Sequence, residues 1–129
     1  VQLAKFANWL KVRYELQSLY RKELANTNLL LPANVSGHAW QTFMVVLPEQ
    51  SIRADLIAKL KDQGIETNLG AQGLHCQQYY QQKYPKMCKE QKKNNAERLF
   101  IYGLALPLYQ SMSYKDIDLA SKYICGVLK

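Results

Sequence analysis

The sequence predicts a two-layer sandwich of the α/β or α+β kind. A small, mainly antiparallel sheet of three to four strands carries helices on one face, and a long helix precedes it. Apolar runs of strand length stop at prolines, and between them apolar residues recur at helical spacing. Helices with one apolar stripe and strands with one apolar face bury both by stacking in two layers.

Leu3, Phe6, Leu10 and Tyr14, then Leu16, Leu19, Tyr20 and Leu24, follow helical spacing, and the stripe drifts round the axis as a long helix requires. LLLP (29–32) closes the region, because Pro32 cannot continue a helix, and ANVSGH (33–38) reads as loop. AWQTFMVVLP (39–48), rich in β-branched and aromatic residues, predicts a central strand. Ser51 is placed to cap a helix whose inward face is Ile52, Leu56, Ile57 and Leu60, with Gly64 as its stop. IETNL (65–69) reads as a second, short strand. The polar stretch 75–98 predicts one or two helices or turns around Pro85. IYGLAL (101–106) predicts a third strand, ended by Pro107. Ser113 and Asp116 make a capping box with a shorter acid, ahead of a helical stripe at Ile117, Ala120, Ser121, Ile124 and Leu128.

At 129 residues the chain fits one domain with one core. Its 48% hydrophobic and 21% charged residues place it among soluble globular proteins. No apolar run approaches the roughly 20 residues of a membrane span, and no secretory signal is visible. The first residue is Val1 and it already sits inside a helical pattern, so the chain is expected to be a piece of a longer protein, although proteolytic maturation would look the same. Cys76, Cys88 and Cys125, an odd count without a close pair, argue against a disulfide framework and a zinc site and for a reducing cytoplasm.

The net charge is +7, with Lys83, Lys86, Lys89, Lys92, Lys93 and Arg98 clustered and diluted only by Glu90 and Glu97. Such a face attracts nucleic acid, acidic lipid or a phosphorylated small molecule, although a solvated helix face is its commoner origin. Tyr79, Tyr80 and Tyr84 beside these lysines can stack on bases or cover the edge of a core. The residues offer no nucleophile–base pair, metal cluster or phosphate loop at a revealing spacing. His75 is therefore read as a ligand contact rather than a catalyst, since a neutral imidazole both donates and accepts hydrogen bonds. Gly70 and Gly73 read as turn residues; their usual service is a positive φ, and close backbone approach to a ligand is the rarer one. His38 and Trp40 stand at a strand entrance, Trp40 as packing.

Four stretches follow one pattern: GHAWQTFMVVLP (37–48), IRADLIAKLKDQGIETNLGAQGLH (52–75), NNAERLFIYGLALPLYQSMS (94–113) and YKDIDLASKYI (114–124). A strand precedes Arg53, Leu56 and Leu60 on a helix, then Gly64, Ile65 and Thr67. A loop leads to Leu74, His75 and Tyr80, and Leu106, Pro107, Leu108, Tyr109 and Met112 lead to Asp116 and Ile117. This pattern resembles the C-terminal small domain of the pyridoxal-phosphate-dependent nucleotide-sugar aminotransferases of the DegT/DnrJ/StrS type. RYELQSLYRKEL (13–24) is similar to the helix that joins the two domains in that family.

The resemblance implies a parent protein whose N-terminal large domain holds pyridoxal phosphate through a lysine, with an aspartate on the pyridine nitrogen. It implies a keto-sugar nucleotide as substrate, glutamate as amino donor and amino sugars for lipopolysaccharide or a related cell-surface product. A homodimer built mainly by the large domain is implied as well. Residues 1–26 would be the interdomain helix and 33–129 the small subdomain closing one side of the cleft. No lysine here matches the Schiff-base motif, so the chain alone is expected neither to bind the cofactor nor to transaminate. Many members carry Thr-Gly-x-His-Tyr-Pro before the Leu-His, with the His-Tyr pair touching the sugar. Here TNLGAQGLH (67–75) puts Gly70 and Ala71 near those positions, so those contacts do not carry over. Asn68, Gln72 and His75 are the substrate-side candidates, with no catalytic, cofactor or metal residue assigned. The alternatives are a basic nucleic-acid-binding module on 83–98 and a purely structural module.

Overall fold

The computed structural model describes residues 2–49, 51–90 and 95–128, with Ser51 described in its backbone alone. Helix α1 is Leu3–Glu23, strand β1 Phe43–Val46, helix α2 Ser51–Asp62 and strand β2 Asn68–Leu69. A 3-10 turn at Leu74–Cys76 leads into α3 (Gln78–Lys83), α4 (Pro85–Glu90) and α5 (Asn95–Tyr102). Strand β3 (Gly103–Leu106) and helix α6 (Tyr114–Val127) follow. Among the described residues no helix is long and apolar enough to cross a membrane.

The sheet has the order β1-β3-β2 and is antiparallel throughout. Its register pairs Phe43 with Leu106 and Val45 with Leu104, which share one face and enter the core. Met44 and Asn68 both pair with Ala105, so these three share the opposite face. Leu16, Tyr20 and Leu24, Leu56 and Leu60 of α2, and Ile117, Ala120 and Ile124 of α6 join the strand residues in one core. Helix α6 packs against both α1 and α2. This is the predicted two-layer arrangement, with α1, α2 and α6 on one face of the sheet and only part of the other face covered.

The predicted α1 stripe is used unevenly. Leu16 and Tyr20 are buried, whereas Leu3 and Phe6 on the first turn and Tyr14 near the middle of the helix lie exposed. Tyr20 stacks on Phe43 with ring centroids 5.1 Å apart, and its hydroxyl donates to the carbonyl of Pro107 at 3.1 Å. The third strand begins later than its apolar run suggests. Ile101 and Tyr102 are the last turn of α5, and only Gly103–Leu106 is strand. The segment NAERLF ahead of them is amphipathic and carries the helix through Ile101 and Tyr102. Strands one and two likewise shrink to four and two residues.

One helix stop and one helix start are made as the residue types require. At Gly64, φ is +73°, its N–H reaches the Lys61 carbonyl at 2.9 Å, and the Ile65 N–H reaches that of Leu60 at 2.9 Å. Those two bonds make a Schellman closure of α2. At the start of α6, the Ser113 hydroxyl accepts from the Asp116 N–H, and the Asp116 carboxylate accepts from the Ser113 N–H at 2.7 Å, the predicted capping box. The proposed Ser51 cap lies outside the described residues.

Candidate functional site

The segment from Asn68 to Cys76 runs off β2 across the open sheet face, held close by missing side chains. A Cβ on Gly70 would stand 2.5 Å from the Met44 sulfur and 2.9 Å from the Gly103 carbonyl carbon. One on Gly73 would stand 3.1 Å from Phe100 and 3.2 Å from the Cys76 sulfur. Neither glycine has a positive φ. The expected turn role is thus replaced by close packing against the strand and α5.

Two hollows of about 450 and 460 Å³ lie on this face and share Gln41, Thr42 and Gly70. Asn68, Ala105 and Tyr109 line the first, and Met44, His38 and Trp40 the second. Asn68 is exposed, and its side-chain oxygen accepts the N–H of Leu69 at 2.7 Å. Its amide NH2 is therefore the group it offers. Gln41 and Thr42 went unmarked in the sequence because they sit just before β1, where nothing but their polarity in an apolar run sets them apart.

His75 looks elsewhere. It borders a separate recess of about 180 Å³ with Cys76, Cys88, Lys89 and Glu97, and an apolar hollow of about 260 Å³ walled by Leu74, Tyr80, Tyr84 and Met87. Its Nε2 is buried and finds no hydrogen-bond partner among the described residues. Gln72 is exposed and lies between the two regions in sequence. The fold thus divides the three predicted contacts: Asn68 fronts the open-face groove, while His75 turns into the layer of short helices. Glu97, one donor atom of which lies within 4.8 Å of donors on His75 and Cys76, was invisible as a neighbour because α3 and α4 intervene.

The basic cluster is partly committed. Lys83 donates to the Tyr79 hydroxyl at 2.9 Å and stands 5.3 and 5.5 Å from the ring centres of Tyr79 and Tyr84. Tyr79 and Tyr80 meet edge to face with centroids 5.3 Å apart. These rings contact one another and an ammonium, which reduces their use as an open stacking platform. Lys86, Lys89 and Arg98 are exposed; Lys92 and Lys93 lie outside the described residues.

Trp40 is packing, as expected, but with unusual backbone. Its φ is +48°, it is 2% exposed, and its N–H donates to the Nδ1 of His38 at 2.9 Å. Arg21 covers the indole 5.9 Å from its centre and donates to the side-chain amide oxygen of Gln17 at 3.2 Å and to the Pro32 carbonyl.

Comparison with known proteins bears on this geometry. The sequence profile described as the DegT/DnrJ/EryC1/StrS aminotransferase family matches residues 1–124. Among solved structures the chain is similar to the aminotransferase TlmJ from Streptoalloteichus hindustanus, at 22% identity and a TM-score of 0.80, covering 99% of this chain and 34% of that one. It is similar to the sugar aminotransferase Spr1654 from Streptococcus pneumoniae in its PLP form, described there as putative, at 20% identity and a TM-score of 0.83, covering 100% and 34%. It also matches Helicobacter pylori PseC, an aminotransferase involved in the biosynthesis of pseudoaminic acid, at 14% identity and a TM-score of 0.84, covering 98% and 34%. At these identities the likeness is one of fold. The chain spans about a third of the length of each of these proteins.

Proposed function

The chain belongs to the DegT/DnrJ/EryC1/StrS aminotransferase family, and from that premise we propose that it is the C-terminal small domain of a pyridoxal-phosphate-dependent sugar aminotransferase. The observation that carries the reading is the profile match over 1–124 in a chain one third the length of its structural counterparts. In this reading α1 is the interdomain helix, and 33–129 close one side of a cleft whose other wall is a large N-terminal domain. The exposed Leu3, Phe6 and Tyr14 in the N-terminal part of α1 support a neighbour along that helix.

The substrate of this reading is a keto-sugar nucleotide, the amino donor glutamate, and the product an amino sugar for lipopolysaccharide or a related cell-surface polymer, made by a cytoplasmic homodimer. Pyridoxal phosphate supplies the electron sink for moving the amino group. No lysine of this chain matches the Schiff-base motif, so in this reading the lysine that holds the cofactor belongs to the N-terminal domain. Within the chain, the open-face groove presents hydrogen-bonding groups of Gln41, Thr42, Asn68 and Tyr109 to a polyhydroxyl ligand. Direct contact is assigned to Asn68 and Gln72, and His75 closes the loop that carries them. The engagement of Lys83 by tyrosines weighs against the nucleic-acid alternative.

The test is spectroscopic. The protein with its N-terminal domain should be purified yellow, lose that absorbance with glutamate and regain it with a keto-sugar nucleotide. A colourless protein that gains no absorbance from added cofactor would overturn the reading.

A further inference from the structure

We propose that His75, Cys76 and Glu97 form a binding site for a thiophilic divalent cation of the Zn²⁺ class. The inference stands apart from the reading above, because the recess shares no lining residue with the groove and the donors are judged on their chemistry alone. A ring nitrogen of His75, the Cys76 sulfur and a Glu97 carboxylate oxygen all lie within 4.8 Å of one another, and all three residues are half-buried. Imidazole, thiolate and carboxylate are the three side-chain ligands that zinc takes. In a tetrahedral site at ordinary bond lengths, neighbouring donors stand roughly 3.4–3.8 Å apart. With every separation below 4.8 Å, side-chain rotations that close each pair by no more than about 1.4 Å bring these donors onto one ion.

Two independent elements place the donors. His75 and Cys76 are consecutive on the 3-10 turn, where the Cys76 N–H is fixed to the Gly73 carbonyl at 2.9 Å. Glu97 lies in the first turn of α5. Phe100 of that same helix lies against Gly73, where a Cβ would be 3.1 Å away, so the turn and the helix are packed directly together. A second observation concerns the imidazole itself: the Nε2 of His75 is buried and lacks a partner among the described residues, so this ring has hydrogen-bonding or ligating capacity unspent. Bound as thiolate and carboxylate, Cys76 and Glu97 would match the double charge of the cation. Lys89 borders the recess but is exposed, so its ammonium stays in water. The recess of about 180 Å³ leaves room for water in the fourth position. The thiolate–imidazole set selects zinc-like ions over magnesium and calcium, which prefer oxygen ligands. On binding, the Cys76 thiol releases its proton to solvent as the sulfur–metal bond forms. The spacing of the cysteines argued against such a site, since its ligands come from elements separated by α3 and α4.

The test uses reduced, chelator-treated protein titrated with Co²⁺ alone. The expected result is a thiolate charge-transfer band with strong tetrahedral d–d bands, saturating at one equivalent, releasing a proton and reversed by Zn²⁺. Cys76→Ser should abolish the charge-transfer band, and His75→Gln and Glu97→Gln should each weaken affinity about tenfold or more. Cys125→Ser, whose thiol faces the Glu23 carbonyl, should bind as the parent does. Saturating Zn²⁺ should raise the melting temperature of the parent and not of Cys76→Ser. Circular dichroism checks that each metal-free variant is folded; if Cys76→Ser is not, His75→Gln and Glu97→Gln decide. Absence of the bands under reducing conditions overturns the proposal, as does undiminished affinity in the folded variants.

Discussion

The Arg53 guanidinium donates from Nη1 to the carbonyl of Phe100 at 2.6 Å and reaches that of Gly103 at 3.4 Å. Helix α2 thereby satisfies carbonyls at the end of α5, where the chain turns directly into β3. Arg53 was the first residue of the family-like helix pattern, and its contact here is structural. Arg53→Met should cost about 1.5–3 kcal/mol, the range for hydrogen bonds to a charged group. Arg53→Lys should recover only part of it, because one ammonium does not reproduce the planar fork. Urea midpoints at constant m-value measure both, and an unshifted Arg53→Met midpoint would show the contact to be idle.

Gly64 and Gly103 should respond differently to the same methyl group. At Gly64 a Cβ meets nothing within 4 Å, so Gly64→Ala suffers only from its left-handed backbone, about 1 kcal/mol. At Gly103 a Cβ would stand 2.2 Å from the Leu99 carbonyl oxygen, a backbone atom that cannot rotate away. Gly103→Ala should cost about 3 kcal/mol, the upper end for overpacking. Denaturant titration of the two variants checks the order, and equal losses would contradict it.

These contacts show what the sequence carried and what it did not. The element order was legible because each helix needs one stripe and each strand one face; Ile117, Ala120 and Ile124 entered the core as their spacing required. The capping box and the Gly64 stop were legible because their chemistry is local. The boundary at Tyr102 was not, since Ile101 and Tyr102 favour a strand until the preceding amphipathic turns commit them to α5. Gly70 and Gly73 were misjudged because their reason lies in Met44, Gly103 and Phe100, distant in sequence. The partition of Asn68 from His75 likewise depends on where the 3-10 turn points, which no local pattern encodes.

Tyr20 should govern the alkaline limb of stability. Burial, with lesser contributions from Tyr109 and Asp116, pushes its phenol well above the usual tyrosine range. The unfolded chain ionises this group near pH 10, so the folded state holds the proton longer and stability falls as pH rises past that value. Tyr20→Phe loses the bond to the Pro107 carbonyl, roughly 0.5–1.5 kcal/mol at neutral pH. It has no proton to release, however, so its stability should decline less steeply above pH 10. Parallel melting curves for the two proteins across that range would refute this.

Asp116 sets a smaller effect at the other end. Hydrogen bonds from the Ser113 backbone and then its side chain hold the carboxyl below its ordinary value. A depressed folded pKa contributes stability above the unfolded value of about 3.9, and that stability is lost as pH falls through the folded pKa. Asp116→Asn should therefore flatten the acid limb of a melting-temperature profile, and a profile identical to the parent's would exclude the role.

Asn68 offers the sharpest division between folding and recognition. It is exposed, it stands on the two-residue β2, and its own oxygen is bonded to the neighbouring N–H. Surface substitutions of this kind usually move stability by less than about 0.5 kcal/mol. If its amide NH2 meets the sugar across the groove, Asn68→Ala in the protein with its N-terminal domain removes one hydrogen bond. A loss of about 1.4 kcal/mol corresponds to a tenfold drop in kcat/KM for the keto-sugar nucleotide. The glutamate half-reaction does not involve that contact and should keep its rate. Steady-state kinetics on the sugar and single-turnover kinetics on glutamate separate the two. Equal losses in both half-reactions would mean that Asn68 acts through the fold, and no loss in either would remove it from the site.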